Sequence, residues 1–215
     1  MAIIAYLRSD LRTDARLMLR ERTAERFQDT DFDRWADQAC ALVAAATRCL
    51  RTTAVDSTSA SQAGYDMPAD CIGSWGITRL EISGVTLDKA PMEKAKSFLR
   101  AHYSGLDPDT AGTPKIWCPY GQKFYLVPKP SATGTNDITL YYSELPEAMA
   151  ADATAMPVPT IYAPAVEKLM VARGLWLSGR RGEGQALEDQ AMKLMMMLSG
   201  KQMPDSSEEA SASAG

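Results

Sequence analysis

His102 is the only histidine in the sequence and the first residue to consider for nucleophilic or acid–base chemistry. A Ser/His/Asp triad would have to be built around it, yet it follows a short predicted helix and has no GxSxG-type nucleophile motif beside it. A surface or helix-end histidine is the favoured interpretation, and catalysis is the alternative. An enzyme or ligand-binding domain would need a polar pocket around His102, Tyr103 or Asp107.

The sulfur-bearing residues show no metal-site spacing. The four cysteines have neither CxxC spacing nor a histidine cluster, which favours free, buried or half-buried thiols in a reducing compartment: Cys40, Cys49, Cys71, Cys118. A methionine cluster indicates an adaptable apolar helix face, in the core or at a subunit contact, rather than a copper site: Met192, Met195, Met196, Met197. The SGRRGEG segment lies between predicted helices, so it does not indicate a phosphate-binding loop. We therefore expect no catalytic residue, no metal and no cofactor.

Four arginines recur every four residues in the first predicted helix and form a positive stripe: Arg8, Arg12, Arg16, Arg20. One interpretation is a solvated face whose charge is offset by nearby acids: Asp10, Asp14, Glu21, Glu25. The other is a stripe that contacts a partner. The spacing of the residues leaves both interpretations open.

Composition limits the class of protein. With 215 residues, 46% apolar and 23% charged, the chain is long enough for one folded domain with a sizeable core. A net charge of -4 argues against a protein that clamps nucleic acid by neutralising phosphates. No apolar stretch approaches the roughly 20 residues that a membrane-spanning helix needs, so we expect no membrane partner.

Helical periodicity recurs along both ends of the chain, and in the first helix it predicts one apolar, buried stripe: Ile4, Leu7, Leu11, Ala15, Met18. It predicts helices over about 3–26, 31–51, a short segment from Pro91 to about His102, and a helical hairpin over about 160–178 and 183–198. We place a capping box at Thr30 and Asp33, and a helix stop at Gly179. The alanine-rich face of the second helix should allow close approach of another helix, from the same subunit or from another copy.

Extended segments fill the middle of the sequence. SWGITRLEISGVTLD predicts a hairpin with its turn at Ser83 and Gly84, and further strands are expected at about 115–118, 123–127 and 137–142. We interpret residues 125–146, YLVPKPSATGTNDITLYYSELP, as a hairpin of a strand, a loop and a strand. Prolines at the strand ends favour a small, peripheral antiparallel sheet. The chain then forms a single domain over 1–199, with a β-hairpin insertion at about 65–145 and a flexible tail over 200–215.

The order of these elements resembles the head-to-tail connector, or adaptor, proteins of tailed bacteriophages. The resemblance covers about residues 5–198 and rests on local patterns in sequence: FQDTDFDRWADQACALVA, GYDMPADCIG, SGVTLDKA, GTPKIWCPYGQKFYLVPKP, DITLYYSELP, DATAMPVPTIYAPAVEKLMVARGLW. It implies a mainly α fold with a smaller antiparallel β part, in which a helical bundle carries an inserted β-hairpin region. It also implies a ring-forming, non-enzymatic virion protein of the neck, assembled in the host cytoplasm.

The resemblance also implies partners and contact residues. Subunits would form a homo-oligomeric, usually twelve-fold ring beneath the portal protein, and double-stranded DNA would pass through it without sequence-specific binding. The tail segment would contact the portal through Met203, Pro204, Asp205, Glu208 and Glu209. The PKPSATGTN loop would reach a neighbouring subunit or a tail, nozzle or stopper protein through Lys129, Ser131, Thr133 and Asn136. The arginine stripe would line the channel or an interface.

Two other functions stay open at this point. One is a small cytoplasmic enzyme or ligand-binding domain that uses a cleft between helices and sheet. The other is a different phage neck or tail-completion protein, which the high helical content disfavours because such proteins tend to be mostly β.

Overall fold

The computed structural model describes residues 5–21 and 26–200. The chain divides into two compact units. The first, here called the helical unit, combines Met1–Cys49 with Pro146–Gly215, and the second, here called the β unit, is Leu50–Leu145. The β unit starts at Leu50, earlier than the insertion expected from about residue 65. The single-domain organisation stays a prediction.

Helices dominate the first unit, and most of the expected helices are confirmed. The described residues form five α-helices: α1 Arg8–Leu19, α2 Asp29–Thr47, α3 Ala95–His102, α4 Ala163–Leu177, α5 Arg181–Leu198. Only α3 belongs to the β unit. The alanine-rich face of α2 is buried within the subunit, with Ala36, Ala39 and Ala44 each at most 4% exposed.

α1 is shorter than its periodicity predicts. Leu7 does not enter the helix because it forms an isolated antiparallel bridge with Ala155. At the other end Arg20 adopts a left-handed conformation with φ of 59°, which stops the helix after Leu19. The remainder of the predicted span, residues 3–4 and 22–25, lies outside the described residues.

The start of α2 also differs from the prediction. The predicted capping box at Thr30 and Asp33 is wrong, because the N-cap is Gln28. The backbone N of Gln28 donates a hydrogen bond to the Asp31 side chain at 3.1 Å. The acidic sequence DTDFD offers two boxes of the same spacing, and the earlier one forms. Asp33 consequently lies one turn into the helix, where its carboxylate points at α1.

The α4–α5 hairpin is confirmed, with Gly179 at φ of 78° between the two helices. Gly184 lets α5 pack closely on α4. A Cβ at this position would lie 2.7 Å from Trp176 Cδ1 and 3.0 Å from the Ala172 carbonyl oxygen. A side chain at residue 184 would therefore collide with the indole of Trp176, and glycine at this position allows the close contact.

The β unit contains two four-stranded sheets rather than one small sheet. Its strands are β1 Arg51–Asp56, β2 Gly64–Asp66, β3 Ile77–Ile82, β4 Val85–Thr86, β5 Asp88–Lys89, β6 Ile116–Tyr120, β7 Lys123–Val127, β8 Ile138–Ser143. One sheet has the order β1-β8-β3-β4 and the other β2-β7-β6-β5. All pairs are antiparallel except β5 with β6. The described residues thus form a mixed α/β fold in which five helices and two small sheets are present, rather than a mainly α fold.

Strand positions were predicted better than strand partners. The hairpin with its turn at Ser83 and Gly84 is confirmed as β3–β4. The hairpin over 125–146 is wrong, because β7 pairs with β6 and β2 whereas β8 pairs with β1 and β3. Residues 128–137 therefore connect two different sheets, and their ends are not held together as in a hairpin loop.

The core of the β unit lies between its sheets and contains Trp117, Phe124 and Leu80, each at most 1% exposed. β1 forms the outer edge of its sheet. The Leu50 carbonyl accepts a hydrogen bond from Glu144 N at 3.2 Å. Because the direction of backbone N–H and C=O groups alternates along a strand, the backbone groups of the even-numbered β1 residues also face β8. Those of the odd-numbered β1 residues face the open side of the sheet.

Candidate functional site

Arg12 lies at the centre of an ionic cluster within the helical unit. Its guanidinium donates to Asp33 Oδ1 at 3.2 Å and to Asp152 Oδ2 at 2.6 Å, which links α1 to α2 and to the chain preceding α4. The Arg12 and Asp33 side chains are only 15% and 18% exposed. Burial raises the pKa of Asp33, although Arg12 and Arg8 oppose that shift. Hydrogen bonds from Arg12 and Arg8 hold the pKa of exposed Asp152 below its usual value.

The neighbouring arginines extend this cluster. Arg8 donates to Asp152 at 3.0 Å and to the Met149 carbonyl oxygen at 2.6 Å. Arg16 donates to Asp29 at 2.6 Å and lies 3.4 Å from Glu21. The interpretation of a solvated stripe is wrong for these three arginines, because their side chains are 11–15% exposed and hold the helices together.

Arg20 differs from the other members of the stripe. It follows the last residue of α1, its side chain is exposed, and it forms no ion pair with the residues that the structure describes. Among the four arginines, only Arg20 has a guanidinium that is not paired with an acid of the described residues and is available to another protein. A channel or interface role for the stripe stays a prediction.

Tyr6 bridges two carboxylates in the helical unit. Its phenol oxygen lies 2.5 Å from Glu167 Oε1 and within hydrogen-bond distance of Asp14 Oδ2, and its single hydrogen is available to either carboxylate. Burial raises the pKa of Glu167. It also raises the pKa of Tyr6, together with the hydrogen bonds to both carboxylates. The Tyr6 hydroxyl therefore links Asp14 of α1 to Glu167 of α4.

An apolar groove runs between α2, α4 and α5; we call it the α2/α4 groove. It has a volume of about 420 Å³, and its lining includes Trp35, Leu42, Ala172, Arg173, Trp176 and Glu188. Leu42 is 42% exposed and Trp176 36%. The buried indole nitrogen of Trp35 has no hydrogen-bond acceptor among the described residues. The two charged groups at the groove, Arg173 and Glu188, form no ion pair within that same part of the chain.

A second apolar surface lies at the carboxyl end of α1; we call Leu17, Met18 and Arg20 the α1 knob. Leu17 is 56% exposed and Met18 50%. Met18 had been expected on the buried stripe of the helix. It lies instead beside Val171 and Leu175 of α4, which form a different stripe of that helix from Ala172 and Trp176 in the groove.

The loop that the sequence suggested as a contact tip is held to its own unit through the backbone. The Lys129 carbonyl accepts from Gly112 N at 2.9 Å, and Ser131 N donates to the Gly112 carbonyl at 3.1 Å. Thr133 Oγ1 accepts from Ala60 N at 3.1 Å. The side chains of Ser131, Thr133 and Asn136 are exposed, whereas Lys129 is half-buried. Their role in contacting another protein stays a prediction.

Asp137 fixes this loop to residues 57–62. Its two carboxylate oxygens accept hydrogen bonds from Thr58, one from the backbone N at 2.7 Å and one from the hydroxyl at 2.6 Å. Thr58 is 4% exposed. Sequence reasoning missed this contact, because nothing in the local pattern connects residues 79 positions apart.

The residues considered for catalysis do not converge. His102 Nδ1 lies 3.0 Å from the Phe98 carbonyl oxygen, and its ring stacks on Phe98. The Tyr103 hydroxyl donates to Asp88 at 2.7 Å, while Asp107 accepts hydrogen bonds within its own turn. In the described structure these three groups have separate partners and form no shared polar cluster.

The cysteines are free, as expected: Cys40, Cys71 and Cys118 are buried and Cys49 is half-buried. Burial raises the pKa of the Cys40 thiol to about 12 and that of Cys118 to about 11. Within residues 5–21 and 26–200, no three His, Cys, Asp or Glu side chains are grouped so as to hold a metal ion. No helix of that region is long and apolar enough to cross a membrane.

The predicted portal contacts Met203, Pro204, Asp205, Glu208 and Glu209 lie outside the described residues. Comparison with known families places most of the chain in one of them. The family model described as SU10 adaptor protein matches residues 6–212, and no curated protein matches the sequence. The match covers the helical unit, the β unit and most of the final segment. The protein therefore belongs to the SU10 adaptor protein family, a family of phage adaptors, in agreement with its resemblance to head-to-tail connectors.

Proposed function

We propose that this protein is the structural head-to-tail adaptor of a tailed phage. Copies of it form a twelve-fold ring beneath the portal protein, extend the DNA channel and join the capsid to a tail, nozzle or stopper protein. The protein resides in the neck of the virion after assembly in the host cytoplasm, and it acts without catalysis or cofactor. The observation that carries the proposal is the family match over residues 6–212.

The surface of the helical unit supports a ring. A closed cyclic assembly requires each subunit to present two different surfaces, one for each neighbour. The α2/α4 groove and the α1 knob are two such surfaces, and both expose large apolar side chains in the isolated chain. Exposed apolar patches of this kind commonly mark protein–protein contacts.

Charge supports passage of DNA without binding. The net charge of the sequence is -4, and Arg8, Arg12 and Arg16 are engaged in ion pairs within their own unit. Tight binding of a duplex requires lysines and arginines that are available to neutralise phosphates. A ring of these subunits would guide DNA without holding it.

The other proposed contacts are those with the portal protein and with a neighbouring subunit or the next neck component. The segment with Met203 and Pro204, followed by Asp205, Glu208 and Glu209, contacts the portal. The exposed side chains of Ser131, Thr133 and Asn136, together with Lys129, contact a neighbouring subunit or the next neck component. The backbone hydrogen bonds of that loop hold these side chains in a fixed arrangement, which lowers the entropy lost on binding.

Native mass spectrometry tests the proposal directly. The full chain is measured alone and with the purified portal protein, alongside a chain that ends at residue 200. We expect a ring that binds the portal for the full chain and loss of portal binding for the shortened chain. A full chain that stays monomeric in the presence of portal would contradict the proposal.

A further inference from the structure

The α2/α4 groove and the α1 knob lie on different faces of α4. Ala172, Arg173 and Trp176 line the groove, whereas Val171 and Leu175 lie beside Met18 of the knob. Positions four apart follow one stripe along a helix, so Val171 and Leu175 lie on one stripe of α4 and Ala172 and Trp176 on the neighbouring one. Because of this separation, the knob of one copy cannot fill the groove of the same copy.

Both surfaces expose large apolar side chains. In the groove, Leu42 and Trp176 are partly exposed. In the knob, Leu17 and Met18 are both at least half exposed, and Met18 also lines a separate groove beside Val171 and Leu175. Removing large apolar side chains of this type from water is favourable, so contact between the two surfaces would be stabilised by their burial.

Charge also matches across the two surfaces. The groove presents one acid, Glu188, and one base, Arg173, and neither forms an ion pair with the described residues. The knob presents Arg20 and the carboxyl end of α1, where the last helical carbonyls carry partial negative charge. Arg20 is thus complementary to Glu188, and the end of α1 is complementary to Arg173.

We propose that the α1 knob of one copy inserts into the α2/α4 groove of a second copy, with Arg20 of the first paired to Glu188 of the second. This proposal rests on the ring stated under the proposed function and names the contact that closes it. The contact is heterologous, since a knob meets a groove rather than another knob. Repeated around an axis, such a contact generates a closed ring.

Charge reversal tests the pairing. Arg20→Glu, Glu188→Arg and the double variant are prepared as full chains, and Lys193→Glu on the exposed side of α5 serves as a charge-matched control. Ring formation is followed by native mass spectrometry over a range of concentrations, with portal present if wild type requires it. Thermal unfolding of each variant checks that the fold is retained.

We expect each single reversal to raise the concentration needed for half-assembly by about tenfold or more, because like charges then face each other across the contact. The double variant should recover most of the wild-type assembly, and Lys193→Glu should assemble as wild type does. Single variants that assemble normally, or a double variant that stays as weak as the singles, would overturn the proposed pairing while leaving the ring itself intact. A wild-type chain that never assembles would overturn both.

Discussion

The most buried ion pairs of the described residues lie in the helical unit, whereas the β unit has more exposed ones. In the helical unit Arg12 and Asp33 form an ion pair that is 15% and 18% exposed, while Leu17 and Met18 stand at least half exposed. In the β unit the ion pair of Lys123 with Asp66 is 49% and 82% exposed, and large aromatic side chains fill the core. A charge stripe in a sequence therefore does not identify a contact surface. In this protein the charges bind the helices together, and exposed apolar side chains mark the contact candidates.

The largest expected loss of stability concerns the hydrogen bonds between Asp137 and Thr58 in the β unit. Asp137→Ala removes both acceptors of Thr58 and leaves a backbone N–H and a hydroxyl buried without partners. We expect the free energy of unfolding to fall by about 3 kcal/mol. Urea denaturation measures this, with Ser131→Ala as the control because its side chain is exposed. A loss of less than about 1 kcal/mol would show that water replaces the carboxylate.

The next effect is on the ionic cluster of the helical unit. Arg12→Ala leaves Asp33 largely buried without its nearest cation, and we expect a loss of about 2 kcal/mol. The loss should persist at high salt, because partly buried pairs are screened less than exposed ones. Arg20→Ala is the matched control and should change the stability of the monomer by less than about 0.5 kcal/mol. Equal losses for both variants would remove the distinction between the two arginines.

A smaller effect depends on pH and concerns Glu167. Burial raises its pKa, so its contribution to stability is fully present below its unfolded pKa, near 4.5, and is lost as pH rises through the folded value. Wild type should therefore gain stability relative to Glu167→Gln as the pH is lowered from neutral to about 4.5. The gain should be less than about 1 kcal/mol, because the side chain is half-buried. Denaturation curves at several pH values measure it, and a slope of opposite sign would contradict the assignment.

The smallest effect is predicted for the exposed ion pair of the β unit. Lys123→Ala should lower the free energy of unfolding by less than about 0.5 kcal/mol, because solvent screens a pair of this exposure. The same denaturation assay measures it. A loss as large as that of Arg12→Ala would mean that ion pairs contribute alike in both units and would end the contrast between them.

Much of the secondary structure was predictable from local pattern. The α4–α5 hairpin followed from helical periodicity and Gly179, and the strand at 123–127 was placed at its observed bounds. Strand pairing was not predictable, since alternation states which face is buried and not which strand is adjacent. That is why β7 and β8 were joined into a hairpin although they belong to different sheets.

The candidate site was less predictable than the fold. Four-residue spacing places Arg8, Arg12 and Arg16 on the same side of α1, but the acceptor Asp152 lies 140 positions from Arg12 in the sequence. Sequence spacing carries no signal for a contact of that range. The apolar pattern also placed Met18 on the buried stripe, whereas it is half exposed because α1 ends just beyond it at Arg20.

The open edge of β1 has a consequence for the behaviour of the free protein. The backbone groups of Arg51, Thr53 and Val55 face the unpaired side of the sheet, and Val55 is 58% exposed. An edge of this kind is a template for strand addition from any other chain, and the strand contains neither proline nor lysine to prevent it. We expect this edge, which is charged only at Arg51 and Asp56, to favour edge-to-edge association in concentrated preparations, and light scattering would detect it. A lysine in place of Val55 is the smallest change that would suppress it.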